Sequence, residues 1–228
     1  MKRTFRVLDA DNNAAAREID VKQLVIAGWA GRDRAALDHH IHELAEIGVA
    51  PPSQVPLYYR STNISLADGG DFQVLGPDSS GEVEAVLIAD GDELLVAVGS
   101  DHTDRKLEAY SIAASKQICA KPVSDDAWRF ADVEEYWDEL VLRAWATIDG
   151  ERVLYQEGPV SGLLHPRELF EKFGGSRQLA SGTVMFCGTL GVIGGIRPGE
   201  AFEAELYDPR RNRSLKMSYR VVTLPIIS

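Results

Sequence analysis

The chain has 228 residues with an apolar fraction of 45%, enough for one sizeable hydrophobic core without covalent staples. A formal charge of −11 argues against sequence-independent nucleic-acid binding, which rests on many Lys and Arg displacing counterions. Two cysteines, Cys119 and Cys187, supply neither a disulfide framework nor a cysteine-based zinc site. A cytoplasmic protein is expected, because the first thirteen residues are polar where a signal peptide is apolar. No membrane partner is expected either, since the longest apolar run, residues 184–196, carries four glycines and is too short to span a bilayer.

The first strands are predicted at residues 3–8 and 21–26, with a polar loop between them. A helix follows at 34–47, capped by Asp33, with Leu37, Ile41, Leu44 and Ile47 at three- and four-residue intervals before Gly48 and Pro51. Residues 86–88 and 94–98 flank Asp90-Gly91, and residues 140–148 and 153–155 flank Asp149-Gly150. Both Asp-Gly pairs suit tight hairpins. Residues 103–118 read as a second helix burying Leu107, Tyr110, Ile112, Ala114 and Ile118, and a short third helix follows Pro166. Strands at 183–188, 202–207 and 217–224 complete the chain. Helix and strand alternate too irregularly for a doubly wound parallel sheet, so the expected class is α+β, β-rich, with two or three helices. The expected organisation is an N-terminal extension over residues 1–70, part of the same unit, and a catalytic core over residues 71–228.

Glu82 and Glu84 stand two apart at the start of an apolar strand, so both carboxylates face one side. Asp101 comes just past the returning strand of the hairpin, within reach of the pair. Three hard oxygen donors select Mg2+ or Mn2+, with Ca2+ also possible, over zinc. From spacing alone, solvated carboxylates on a polar strand edge are the commoner explanation of Glu-x-Glu.

Glu82-Val83-Glu84-Ala85-Val86-Leu87-Ile88 resembles the Glu-x-Glu strand of the fumarylacetoacetate hydrolase family, and Ser100-Asp101-His102-Thr103-Asp104-Arg105 its Asn-Asp-x-Ser-x-Arg motif. Asp149-Gly150-Glu151 with Gln156-Glu157-Gly158, residues 181–189 and residues 199–205 are similar to later motifs of that family, in the same order. The match runs from about His40 to Leu206. The resemblance implies a mixed β-roll or β-sandwich core, metal ligation by Glu82, Glu84 and Asp101, no organic cofactor, a small 2-oxo acid as substrate and a homodimer.

It also implies catalytic roles for His40, Glu43 and Lys116. His40 and Glu43 share one helical face, where the carboxylate orients the imidazole as a base for water on a lid over the site, although His39 and His42 compete for the role. Lys116 corresponds to a lysine that stabilises negative charge on substrate oxygen, without the family's Phe-Asp companions; a helix C-terminus would also favour it there. Arg105 would bind a substrate carboxylate or brace the loop against Glu82 or Asp104. Arg60 and Thr189 are further carboxylate-binding candidates, Thr189 in a Gly-Thr-Leu context where relatives have Gly-Thr-Pro. The first expectation is hydrolytic C–C cleavage of an acylpyruvate-like diketo acid. The alternatives are hydration or dehydration, decarboxylation or isomerisation of a small 2-oxo acid, or a non-catalytic binding protein on the same fold. A basic cluster, Arg210, Arg211, Arg213 and Lys216, reads as a solvated hairpin tip rather than a nucleic-acid contact.

Overall fold

The computed structural model describes residues 1–46 and 51–227, apart from the side chains of residues 40 and 43–46. An eight-stranded mixed sheet runs, in spatial order, Ala14–Asp20, Lys2–Leu8, Asp126–Arg129, Glu93–Ser100, Val83–Asp90, Thr183–Thr189, Gln23–Gly28 and Leu57–Ser61. A five-stranded sheet runs Glu151–Pro159, Val141–Ile148, Ala201–Asp208, Arg213–Leu224 and Gly70–Leu75. Most neighbours are antiparallel. The parallel pairs join distant parts of the chain, as where Gln23–Gly28 meets Thr183–Thr189. This is the β-rich α+β architecture expected from the sequence, and strands from the first seventy residues lie in the same sheet as Val83–Asp90.

The central strand Val83–Asp90 is apolar on both faces because both are covered. Val83, Ala85, Leu87 and Ala89 join the large core with Trp128, Leu142, Phe202 and Tyr219. Val86 and Ile88 turn the other way, into a cluster with Leu24, Ile26, Leu66 and Phe186. Glu82 and Glu84 share the parity of that second face, so the period of two that aligns the carboxylates also carries them to one end of an apolar layer.

Both hairpins form. Asp149-Gly150 is a two-residue loop with φ of +52° and +78°, as its sequence suggests. In the other hairpin Asp90 still pairs with Glu93, so the loop is Gly91-Asp92, with Gly91 at φ +60°.

The first helix spans Arg34–Glu46, and Asp33 caps it by accepting from the amides of Ala35 and Ala36 at 3.0 Å. The expected end of this helix, at Ile47 and Gly48, lies outside the described residues. The second predicted helix is in two pieces, Arg105–Glu108 and Ile112–Ile118, because Asp104 and Ser111 each cap a new start. Its expected apolar face is corrected as well. Tyr110 is 89% exposed and Ile118 47% exposed, whereas Ser115 and Lys116 are buried. The helix turns a polar face inward, towards the carboxylates. Pro166–Gly174 forms the short later helix.

Cys119 and Cys187 are both free and buried. Among the described residues no helix is long and apolar enough to cross a membrane. The basic hairpin tip is largely neutralised: Arg210 pairs with Glu139, Arg213 with the buried Asp208, and Lys216 with Glu205.

Candidate active site

The Val83–Asp90 and Glu93–Ser100 hairpin sets Val83 opposite Ser100, so Asp101 falls opposite Glu82 and donates its amide to the Glu82 carbonyl at 3.0 Å. One oxygen from each of Glu82, Glu84 and Asp101 lies within 4.8 Å of the others. The sequence expectation of three converging carboxylates thus has a geometric basis, the hairpin return that sets Asp101 opposite Glu82.

Three cations answer the three anions. Arg105 braces the site, donating to Glu82 Oε1 at 2.9 Å, Glu108 Oε2 at 2.9 Å and Ser80 Oγ at 2.7 Å. Lys116, buried on its helix, donates to Glu82 Oε2 at 3.3 Å and to Asp101 Oδ2. Lys121 lies 3.3 Å from Asp101 Oδ1. Glu84 has no cation within bonding distance among the described residues; its Oε2 accepts the Gly188 amide at 2.7 Å. That approach needs a glycine, because Gly188 sits at φ +96° and a Cβ there would meet Ala30 Cβ at 2.7 Å.

The electrostatics separate the two glutamates. Burial alone would raise Glu82, but Lys116 and Arg105 bring its carboxyl down to about 2. Glu84 is held well above the usual carboxylate range, first by burial and then by the neighbouring Asp101 and Glu82. Burial opposes the Lys116 ammonium, yet Asp101 and Glu82 raise it above its ordinary value, so it is a fixed positive charge rather than a proton donor at neutral pH.

A hard divalent cation fits these residues. The donor set is all carboxylate oxygen, and Asp101 Oδ1 is buried without a hydrogen bond, its one close cation, Lys121, standing off at 3.3 Å, so its lone pairs are open to a metal.

Thr189 lies beside the site, but its hydroxyl is committed. It donates to the Val83 carbonyl at 2.8 Å and accepts from Gln156 Nε2 at 2.9 Å. Gln156 also accepts the Val83 amide at 2.9 Å and donates to the Leu190 carbonyl at 2.6 Å. One buried carboxamide therefore ties together the strand between the two glutamates and the loop after Thr189. Arg60 does not join the cluster. It is exposed on Leu57–Ser61, and strand alternation sets it on the face opposite Tyr59, whose ring lies 5.9 Å from Lys116 Nζ. Arg32 is held by Asp138 at 2.6 Å and 2.7 Å. His40 and Glu43 belong to the Arg34–Glu46 helix, but their side chains lie outside the described residues.

Sequence reasoning missed Lys121, Tyr59 and His102. His102 is buried beside Asp101 and is bonded through both ring nitrogens, to Tyr219 and to Ser79, each at 2.9 Å. Burial, with Lys121 and Arg105, pushes its imidazole down to about 3. It is a neutral structural link between the ligand turn and the second sheet.

Similar solved structures share this fold. Cg1458 matches with a TM-score of 0.67 and 15% identity, covering 98% of this chain and 100% of that one. 2-Keto-3-deoxy-D-arabinonate dehydratase complexed with magnesium and 2,5-dioxopentanoate matches with a TM-score of 0.64 and 14% identity, over 92% and 77%. 4-Oxalocrotonate decarboxylase from Pseudomonas putida G7, complexed with calcium and acetate, matches with a TM-score of 0.50 and 15% identity, over 90% and 78%. No curated protein matches the sequence. Residues 27–219 match the model of the family described as "Protein of unknown function (DUF2848)", and the chain belongs to that family.

Proposed function

We propose that this chain is a divalent-metal-dependent enzyme of the fumarylacetoacetate hydrolase type, acting on a small 2-oxo acid by dehydration or decarboxylation. The observation that carries the reading is the convergence of Glu82, Glu84 and Asp101 with Lys116 at one buried end of a strand pair. Glu82, Glu84 and Asp101 would hold Mg2+ or Mn2+, with Ca2+ as a further option. Bound there, such an ion supplies Lewis acidity towards the carboxylate and keto oxygens of the substrate.

The remaining steps belong to the chain itself. Lys116 keeps its proton and offers a fixed positive charge to an enolate oxygen, the charge common to dehydration, decarboxylation and diketo-acid hydrolysis. Arg105 fixes Glu82 and thereby the orientation of the ligand pair. In this reading the Arg34–Glu46 helix, from the 1–70 extension, acts as a lid over the 71–228 core, and His40 with Glu43 moves the proton.

Dehydration or decarboxylation is favoured over C–C hydrolysis because two of the structural neighbours are a dehydratase and a decarboxylase, one with magnesium and the other with calcium. A panel of 3-deoxy-2-oxo sugar acids, oxaloacetate, enol-dienoates and acylpyruvates, assayed with Mg2+ or Mn2+ against Asp101→Ala, tests the reading. Turnover of a sugar-derived or dicarboxylic 2-oxo acid, lost in the variant, is expected. Cleavage of acylpyruvates alone would restore the hydrolase reading, and equal inertness of both proteins would remove the enzyme reading.

A further inference from the structure

Lys121 has no role in the chemistry above and carries no motif, yet it is completely buried, on the two-residue strand Lys121–Pro122 that pairs in parallel with Leu66–Ala67. Removing an ammonium from water is costly unless it is fully satisfied. Here it donates to two carbonyls, of His102 at 2.6 Å and of Cys119 at 3.0 Å, and lies at ion-pair distance, 3.3 Å, from Asp101 Oδ1. The two hydrogen bonds hold the ammonium in place and the carboxylate balances its charge.

The positions of those acceptors matter. His102 directly follows Asp101, and Cys119 directly follows the helix that carries Lys116. Lys121 is therefore pinned to both segments of the site and cannot swing away. Asp101 has a lysine within ion-pair distance of each carboxylate oxygen, whereas Glu84 has none among the described residues. A cation that ligates Asp101 must approach a carboxylate that already has the Lys121 ammonium 3.3 Å from Oδ1.

We propose that Lys121 is a positioning residue with a tuning role: a fixed counter-charge beside Asp101 Oδ1 that holds the affinity of the carboxylate site for a divalent ion below what its three ligands alone would give. The inference rests on the metal-site reading above and adds the direction of one residue's effect on it. Two effects oppose each other when Lys121 is removed. Loss of its clamp loosens the ligands, and loss of its charge relieves repulsion of a doubly charged ion. At separations of a few ångströms in a poorly screened interior the second effect is the larger.

The test is calorimetric titration of Mn2+ into chelator-stripped protein, comparing wild type, Lys121→Met and Lys121→Arg, with thermal unfolding of each. Lys121→Met is expected to bind Mn2+ about tenfold or more tightly than wild type. Lys121→Arg, which keeps the charge, is expected to stay within about threefold of wild type. A purely structural clamp would instead lose affinity and stability together, so equal or weaker binding by folded Lys121→Met overturns the proposal. If Lys121→Met does not fold, lysine side-chain nitrogen NMR of the wild-type protein replaces it, with Lys116→Met assigning the second buried ammonium signal. Saturation with Mg2+ should shift the Lys121 resonance, and an unmoved resonance overturns the proposal. Absence of any Mn2+ or Mg2+ binding by wild type is a separate outcome, which removes the metal-site reading itself.

Discussion

Replacing Gln156 by Leu keeps the volume of a fully buried side chain and deletes its polar end. In the native protein that end accepts the Val83 amide at 2.9 Å and donates to Thr189 Oγ1 at 2.9 Å and the Leu190 carbonyl at 2.6 Å. Thr189 keeps its bond to the Val83 carbonyl, so the loss falls on two backbone groups, the Val83 N–H and the Leu190 C=O. Leaving a buried group without a partner costs about 1–3 kcal/mol, and the Leu190 carbonyl recovers part of its loss from water because its bond is only partly buried. The net expectation is a destabilisation of about 2–3 kcal/mol, read as a lower urea midpoint with an unchanged slope. Val83 separates Glu82 from Glu84, so affinity for Mn2+ should fall by roughly tenfold in the same variant. A stability loss under about 0.5 kcal/mol would refute the claim that this carboxamide fixes the ligand strand.

Three further outcomes are expected. The His102 imidazole sits near 3 in the folded protein against about 6.5 unfolded, so the unfolded chain binds the extra proton. The His102 contribution to stability is therefore complete above about pH 6.5 and is lost as pH falls towards 3, by on the order of 5 kcal/mol in full; urea unfolding of His102→Gln should lack this slope, and an identical slope in the variant would contradict the assignment. Because Glu84 holds its proton more tightly than an ordinary carboxylate, Mn2+ affinity should weaken as the solution is acidified, starting at higher pH than for an exposed carboxylate site; affinity constant from about pH 8 to about pH 5 would contradict this. Lys116→Met should lower kcat by about 10²- to 10³-fold on the substrate identified while Mn2+ binding persists, and unchanged kcat would remove the lysine from the mechanism.

The parts of the fold legible in sequence are those whose cause is local. The two-residue period aligns Glu82 with Glu84, a hairpin returns Asp101 to them, and Asp33 marks a helix start, all within short spans of chain. The break in the second helix was also encoded, in the capping residues Asp104 and Ser111, but an apolar periodicity through Tyr110 and Ile118 suggested burial that the polar inward face reverses. Lys121 was not legible. A lysine before a proline on a two-residue strand has no periodicity, and its burial follows only from the distant segment Leu66–Ala67 laid against it. Arg60 failed for a simpler reason: a one-residue step along a strand exchanges faces, and Tyr59 took the face towards Lys116. The order of the large sheet also depends on parallel pairs between remote segments, such as Lys2–Leu8 with Asp126–Arg129, which no local pattern specifies.

The central claim is that Glu82, Glu84 and Asp101 form a site for one divalent cation, and calorimetric titration of Mg2+ and Mn2+ into chelator-stripped wild type and Glu84→Gln addresses it most directly. One ion bound per chain is expected for wild type and none for Glu84→Gln, since that residue's carboxylate faces the cluster with only the Gly188 amide to satisfy it among the described residues. Heat of binding that is absent in wild type, or that is the same in both proteins, would contradict it.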